Sequence, residues 1–244
     1  MATNRANPAG PTWVVLPTYN EAETIGELVA AVRARLPRPR RILVVDDASP
    51  DGTGALADDL AAAHDDVGVL HREAKRGLGP AYVAGFGRAL AQGAGRIVQM
   101  DADFSHDPDH LPILLSALER ADLVLGSRYV DGGRVHDWGA GRRAISRLGS
   151  YYARTALGVR VRDLTGGYKA WRRDALGAIG VESVEAVGYA FQVETTYRAI
   201  KAGLRVVEVP ITFRDRRVGA SKMSRAIVLE AVWQVPAMRL RRHR

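Results

Sequence analysis

Two aspartates one residue apart, Asp101-Ala102-Asp103, close a short apolar run, Ile97-Val98-Gln99-Met100. Buried carboxylates without partners are costly, so the pair belongs at a strand's carboxyl end, facing a cleft. In extended backbone, residues two apart point the same way. Two carboxylates presented together offer hard oxygen ligands to one divalent cation, Mg²⁺ or Mn²⁺. An isolated D-x-D is more often a solvated turn, so this reading depends on what the chain brings to the same rim.

Other residues suited to anion and nucleotide chemistry also follow apolar runs. Asp46-Asp47 end the run Arg41-Ile42-Leu43-Val44-Val45, where a carboxylate can accept hydrogen bonds from a base or ribose. Arg128 ends Leu123-Val124-Leu125-Gly126-Ser127, and its planar guanidinium suits bidentate contact with phosphate. Arg216 and Lys222 flank Gly219, Ala220 and Ser221, small residues that let a loop close over a ligand.

The elements that must position these residues alternate. A strand over Thr12 to Leu16 is expected to stop at Pro17. A helix with Ile25, Leu28, Val29 and Val32 on one face then runs to about Pro37. Strands are expected over 41–45, 67–70, 97–100 and 123–128, with helices over 54–64, 77–92 and 108–120 between them. This alternation predicts an α/β fold with a mostly parallel, Rossmann-like central sheet flanked by helices. Ligands of such sheets bind outside the carboxyl ends of the strands. Pro17 to Glu21, Asp46-Asp47, Asp101 to Asp103 and Ser127-Arg128 would therefore share one rim.

The second half is less regular. Gly141 to Leu157 predicts a helix carrying Arg142, Arg143, Arg147 and Arg154 beside Ile145, Leu148, Tyr151 and Tyr152. Asp163 to Ala170 reads as a turn-rich loop leading to a strand. A helix over 190–202, a strand over 204–209, a basic loop over 214–222 and an Arg-rich helix from Met223 to Arg244 complete the chain. The expected division is a flexible leader over 1–11, one domain over 12–222 that includes a basic amphipathic, acceptor- or membrane-facing helical segment at 139–160, and a basic amphipathic C-terminal helix over 223–244.

Composition narrows the partners. The 244 residues are 47% hydrophobic, enough for a full core, and the formal net charge of +8 favours anionic partners. The absence of cysteine excludes disulfides and thiolate metal sites. Met1 to Pro11 lacks an apolar signal region, and no apolar run approaches the roughly 20 residues of a membrane span. A soluble or peripheral protein is expected. Nucleic acid is disfavoured as the anionic partner: no stacking aromatics interleave with the basic residues, and acidic strand ends repel phosphate unless a metal intervenes.

Pro17-Thr18-Tyr19-Asn20-Glu21, the stretch Val45 to Thr53, Asp101-Ala102-Asp103 and Gly126-Ser127-Arg128-Tyr129 resemble the GT-A fold glycosyltransferases of family 2. More narrowly, they resemble dolichol- or polyprenol-phosphate mannose synthases. The resemblance implies inverting transfer of mannose from GDP-mannose to polyprenyl (dolichyl) phosphate, with UDP-glucose as the alternative donor. It implies Asp101 and Asp103 as metal ligands, with Ser105 where the resembled enzymes carry a glutamine ligand. His106 beside it is expected to be solvated. The donor would be lined by Pro17, Tyr19, Glu21, Val45, Asp47 and Ala102, and closed over by Arg216 and Lys222. The acceptor phosphate would meet Arg128 and one of Arg142 and Arg143, and Asp163 to Tyr168 would shape its side of the site. A phosphate acceptor is already anionic, so no general base is required. Glu194 is then structural or sugar-binding, and Asp46 a loop residue. The resemblance further implies a peripheral protein at the cytoplasmic face of a membrane, with room for a small integral-membrane subunit.

Overall fold

The computed structural model describes residues 9–184, 186, 188–215 and 235–239. Its centre is a seven-stranded sheet. The strands are β1 (Thr12–Thr18), β2 (Arg40–Asp46), β3 (Val67–His71), β4 (Arg96–Gln99), β5 (Leu123–Ser127), β7 (Lys169–Arg172) and β8 (Val206–Pro210), in the spatial order β3-β2-β1-β4-β7-β5-β8. All neighbours pair in parallel except β7, which runs antiparallel between β4 and β5. Two short strands, β6 (Arg134–Val135) and β9 (Thr212–Phe213), pair beside the sheet.

Strand residues alternate between two apolar layers, as a period of two demands. Trp13, Val15, Leu43 and Val45 face one layer with Tyr82 and Phe86 of α3 (Leu78–Ala91) and Phe191 of α7 (Gly188–Lys201). Val14, Leu16, Ile42 and Val44 face the other, against α1 (Ile25–Arg35), α2 (Thr53–Ala63) and α4 (Leu111–Leu118). Both sheet faces are therefore dry, and continuous apolar strands are the consequence. Gly85 lets α3 approach closely: a Cβ there would meet Val15 Cγ1 at 2.4 Å and Val45 Cγ2 at 3.1 Å.

The structure revises several expected boundaries. Pro17 does not stop β1, which continues to Thr18 in register with Asp46. The ladder to β4 already ends at Val15–Gln99, so the missing proline N–H breaks no bond on that side. The helix expected over 108–120 splits into a 3₁₀ turn at Pro108–His110 and α4, with Asp107 accepting from the Asp109 N–H. The basic segment forms α5 (Ala140–Leu157). A short helix, α6 (Arg173–Ala178), and the β6–β9 pair are additional elements. No described helix is long and apolar enough to cross a membrane. Within the expected C-terminal helix, residues 235–239 are helical, and Val235 and Met238 join the core. The remainder of that helix, the leader through residue 8, and Arg216 and Lys222 with their loop lie outside the described residues.

Because β7 runs backwards, the Asp163–Tyr168 loop that precedes it arrives at the carboxyl ends of β4 and β5. Lys169 pairs with Gln99 on one side and Leu125 on the other. That reversal supplies one wall of the site.

Candidate active site

A cavity of about 470 Å³ opens at this rim. Pro17, Thr18, Tyr19, Glu21 and Asp47 form one wall, and Asp101, Ala102, Asp103, Ser105 and His106 lie centrally. Arg128, Trp138, Arg142, Thr165, Phe213 and Asp215 form the opposite wall. Four non-glycine residues of positive φ, Asn20, Ala48, Phe104 and Asp137, each lie at this rim or directly beside a lining residue. Such backbone collects where surrounding structure forces a loop to aim side chains.

The two aspartates are held by separate devices. Asp101 Oδ1 accepts from the Tyr82 hydroxyl at 2.7 Å. Burial, reinforced by Asp101, pushes the Tyr82 hydroxyl well above its ordinary pKa, so it remains a donor. Asp103 Oδ1 accepts from the Ser105 N–H at 3.0 Å, across the turn that Phe104 makes at φ 60°. His106 is buried, not solvated as expected. The Asp101 N–H donates to its Nδ1 at 3.0 Å, and its ring stacks on Tyr168 at 4.8 Å. Burial lowers its pKa against the opposing pull of Asp101 and Asp103. A neutral imidazole accepting through Nδ1 carries its proton on Nε2. His106 thus acts as a backbone brace, with its Nδ1 occupied by the Asp101 N–H.

The donor set fits a hard cation. Asp101, Asp103 and Ser105 offer only oxygen, and all three line the cavity. Among the described residues, no three His, Asp or Glu side chains form a metal cage by themselves. Two carboxylates would leave further coordination positions to water and phosphate oxygens, as Mg²⁺ favours.

On the first wall, Asp47 accepts from Arg72 Nη1 and from the Arg76 N–H, and Lys75 lies 3.7 Å over the Tyr19 ring. Asp46 serves its loop, accepting from Ser49 and from the Thr18 hydroxyl. Asp51 and Thr53 brace the neighbouring loop by accepting from the Ala22 and Glu21 N–H groups. Val45 does not line the cavity. Its side chain is fully buried beneath α3, and only its carbonyl reaches sideways, to the Thr18 hydroxyl.

On the second wall, Arg128 is paired with Asp163 rather than with Asp103. Nε and Nη2 each donate at 2.7 Å to the two Asp163 oxygens, and the Arg128 N–H adds a third bond. Burial pushes the Asp163 carboxyl up, but Arg128's charge and hydrogen bonds outweigh it and hold the pKa below its ordinary value. Tyr129, Trp138 and Phe213 surround the guanidinium at 5.2, 5.7 and 5.3 Å. Arg142 stacks on Trp138 at 4.3 Å and bonds Asp215 at 2.6 Å, whereas Arg143 is exposed and outside the cavity. Glu194 is buried against Arg198 away from the cavity, in a structural role.

Residues 13–180 match Glycosyl transferase family 2. The chain belongs to that family. It is therefore a glycosyltransferase, and its cavity is the candidate active site. The chain is 51% identical to an undecaprenyl-phosphate mannosyltransferase of Micrococcus luteus, over 91% of this chain and 90% of the relative. It is 50% identical to a polyprenol monophosphomannose synthase of Mycolicibacterium smegmatis, over 93% and 86%. A glucosyl-3-phosphoglycerate synthase of Mycobacterium tuberculosis, solved with Mn²⁺ and UDP, shares the fold at TM-score 0.65 and 22% identity, over 95% of this chain and 79% of that one. The family 2 assignment agrees with the GT-A-like sheet.

Several residues that line this glycosyltransferase's cavity escaped sequence reasoning. Lys75, Gly77 and Leu78 follow β3, a fifth strand end on the same rim, and the basic run Lys75-Arg76 was the available signal. Trp138, Phe213, Asp215 and Gln192 carry no local pattern. Asp163 does not line the cavity but fixes Arg128, from 35 residues away.

Proposed function

We propose that the chain transfers mannose from GDP-mannose to a polyprenyl phosphate, inverting the anomeric carbon, with Mg²⁺ or Mn²⁺ held by Asp101 and Asp103. The single observation that carries this reading is the composition of the cavity. Among the described residues, five carboxylates (Glu21, Asp47, Asp101, Asp103 and Asp215) and three basic side chains (Lys75, Arg128 and Arg142) line it. A doubly anionic nucleotide sugar meets net repulsion there unless positive charge accompanies it. The names of the two half-identical relatives support mannose as the sugar and a lipid phosphate as the acceptor.

The donor nucleotide would lie along Pro17, Tyr19, Glu21 and Asp47, with its diphosphate toward Asp101, Ala102 and Asp103. Lys75, already stacked on Tyr19, is positioned to approach the same ligand. Ser105 would reach the metal through water if at all, because its hydroxyl is short. A bound cation would supply charge neutralisation to the departing diphosphate. Arg128 and Arg142 would orient the acceptor phosphate. One of its oxygens attacks the anomeric carbon as the bond to the diphosphate breaks and GDP departs. No residue need remove a proton, consistent with Glu194 lying outside the cavity. The acceptor's apolar tail places the reaction at a membrane surface, with the protein peripheral at the cytoplasmic face.

Calorimetric titration tests the donor. GDP-mannose is expected to bind more than about tenfold tighter with Mn²⁺ than in chelator, and tighter than UDP-glucose. Preference for UDP-glucose would replace the donor assignment. The two neighbouring arginines give a second test. Arg142→Gln should raise the acceptor KM by about 10- to 100-fold, the worth of a charged hydrogen bond, while Arg143→Gln changes it less than about twofold. Steady-state kinetics with radiolabelled GDP-mannose reads both, and equal effects would remove Arg142 from the acceptor side.

A further inference from the structure

We propose that Tyr82 is a positioning residue that selects the cation. By holding one oxygen of Asp101 it leaves that carboxylate a single oxygen for a metal, which favours Mg²⁺ or Mn²⁺ and disfavours Ca²⁺. This selection presupposes the metal reading of Asp101 and Asp103 given above.

The Tyr82 hydroxyl sits where an apolar ring alone would pack. Tyr82 lies in the second turn of α3 and is fully buried in the layer that Phe86 and Phe191 share. A hydroxyl in such a layer is unfavourable unless it is hydrogen-bonded. Here it donates to Asp101 Oδ1 at 2.7 Å. The ring is held on both sides. It stacks on Phe86 at 5.7 Å and lies nearly parallel to Phe191 of α7, at 6.0 Å and an interplanar angle of 5°. Gly79, in the first turn of α3, lets Phe191 come this close: a Cβ there would lie 3.1 Å from Phe191 Cδ2. Two helices therefore fix the direction of one hydroxyl.

The hydroxyl in turn fixes Asp101. The carboxylate is gripped through Oδ1, and the backbone of the same residue is gripped through its N–H, which donates to His106 Nδ1. Oδ2 lies on the side of Gly167, a cavity-lining residue. Asp103 also commits one oxygen to the protein, accepting from the Ser105 N–H at 3.0 Å.

Oxygen count distinguishes hard cations. Ca²⁺ takes six to eight oxygens in adaptable geometry and readily accepts both oxygens of one carboxylate. Mg²⁺ demands a near-ideal octahedron, and the two oxygens of one carboxylate lie too close together to fill neighbouring corners of it. An Asp101 oxygen already saturated by a short, charge-assisted bond is a poor second ligand. Tyr82 thus withholds the ligation that Ca²⁺ uses and leaves the ligation that Mg²⁺ and Mn²⁺ use.

Tyr82→Phe keeps the ring and both stacks and removes the hydroxyl alone. Mn²⁺ is titrated into the protein and followed by electron paramagnetic resonance, and Ca²⁺ is then added as competitor. Asp101→Asn identifies the signal that belongs to this site. Tyr82→Phe should weaken Mn²⁺ binding by about 10- to 100-fold, the usual effect of losing a residue that orients a ligand. Ca²⁺ affinity should hold within about twofold or improve, so the preference for Mn²⁺ falls at least about tenfold. Phe86→Leu loosens the stack without touching the hydroxyl. It should lower the melting temperature and leave the preference within about twofold.

A second measurement needs no variant. Infrared difference spectra of protein carrying ¹³C-labelled aspartate, with and without Mn²⁺, report whether a carboxylate ligates through one oxygen or two. The wide splitting of single-oxygen ligation is expected, and it should disappear in Asp101→Asn. Two-oxygen ligation in the wild type would overturn the selection, as would equal losses of Mn²⁺ and Ca²⁺ affinity in Tyr82→Phe. Wild-type protein that binds neither cation would remove the metal site itself, and Tyr82 with it. Neither measurement uses a sugar or a lipid, so a different donor or acceptor leaves the result standing.

Discussion

Asp103→Asn should reduce turnover by at least about a thousandfold while the protein folds as before. Asparagine keeps the oxygen that accepts from the Ser105 N–H, so the turn at Phe104 survives. What it removes is one negative charge from a cavity lined by five carboxylates. The thermal midpoint without ligands should therefore stay or rise, because like charges no longer crowd the rim. Asp101→Asn should behave similarly, since its amide oxygen can still accept from Tyr82. Transfer of radiolabelled mannose and a thermal melt, measured on the same preparation, separate the two effects. A fully active Asp103→Asn enzyme would remove the metal site from the proposed mechanism.

Asp163→Asn should have the largest effect on stability, about 3–5 kcal/mol, because it leaves the Arg128 charge buried without its partner. Acceptor-dependent rate should fall with it, since the guanidinium keeps one oxygen partner instead of two and is aimed less firmly between Trp138 and Phe213. Donor affinity, which depends on the other wall, should change little. The acid limb of stability carries the same signature. The folded pKa of Asp163 is depressed, so its contribution is complete above the unfolded value of about 3.9 and is lost as pH falls through that value toward the folded one. Denaturant melts of the wild type should therefore weaken below about pH 4 more steeply than those of Asp163→Asn. Parallel acid limbs would mean that the pair contributes nothing to folding.

Much of this architecture could be read before the structure. Apolar runs at β1, β2, β4 and β5 end in polar residues, and a parallel sheet converts that punctuation into a shared rim. The rim residues were legible for the same reason: Tyr19, Asp47, Asp101 and Arg128 each follow a strand. What could not be read depends on pairings distant in sequence. β7 has four residues, and nothing in Lys169-Ala170-Trp171-Arg172 states its direction or its neighbours. Its insertion between β4 and β5 alone brings Asp163 to Arg128. His106 was misjudged because the turn at Phe104 folds it back onto Tyr168, and a left-handed phenylalanine has no sequence marker. Val45 was assigned to the donor by its place beside Asp46-Asp47, but the period of two, with Gly85 above it, sends its side chain into the core.

The reversed β7 also divides the chain in a way that the folded cavity conceals. The proposed metal ligands and most of the proposed nucleotide wall come from the segment ending near Asp107. The proposed phosphate-acceptor wall comes from residues after Ser127, with α4 as the seam. On the proposed assignment, a substitution that refits one substrate falls in one half of the chain and leaves the other half's contacts in place. A lineage can exchange the molecule it glycosylates while inheriting its sugar source unchanged.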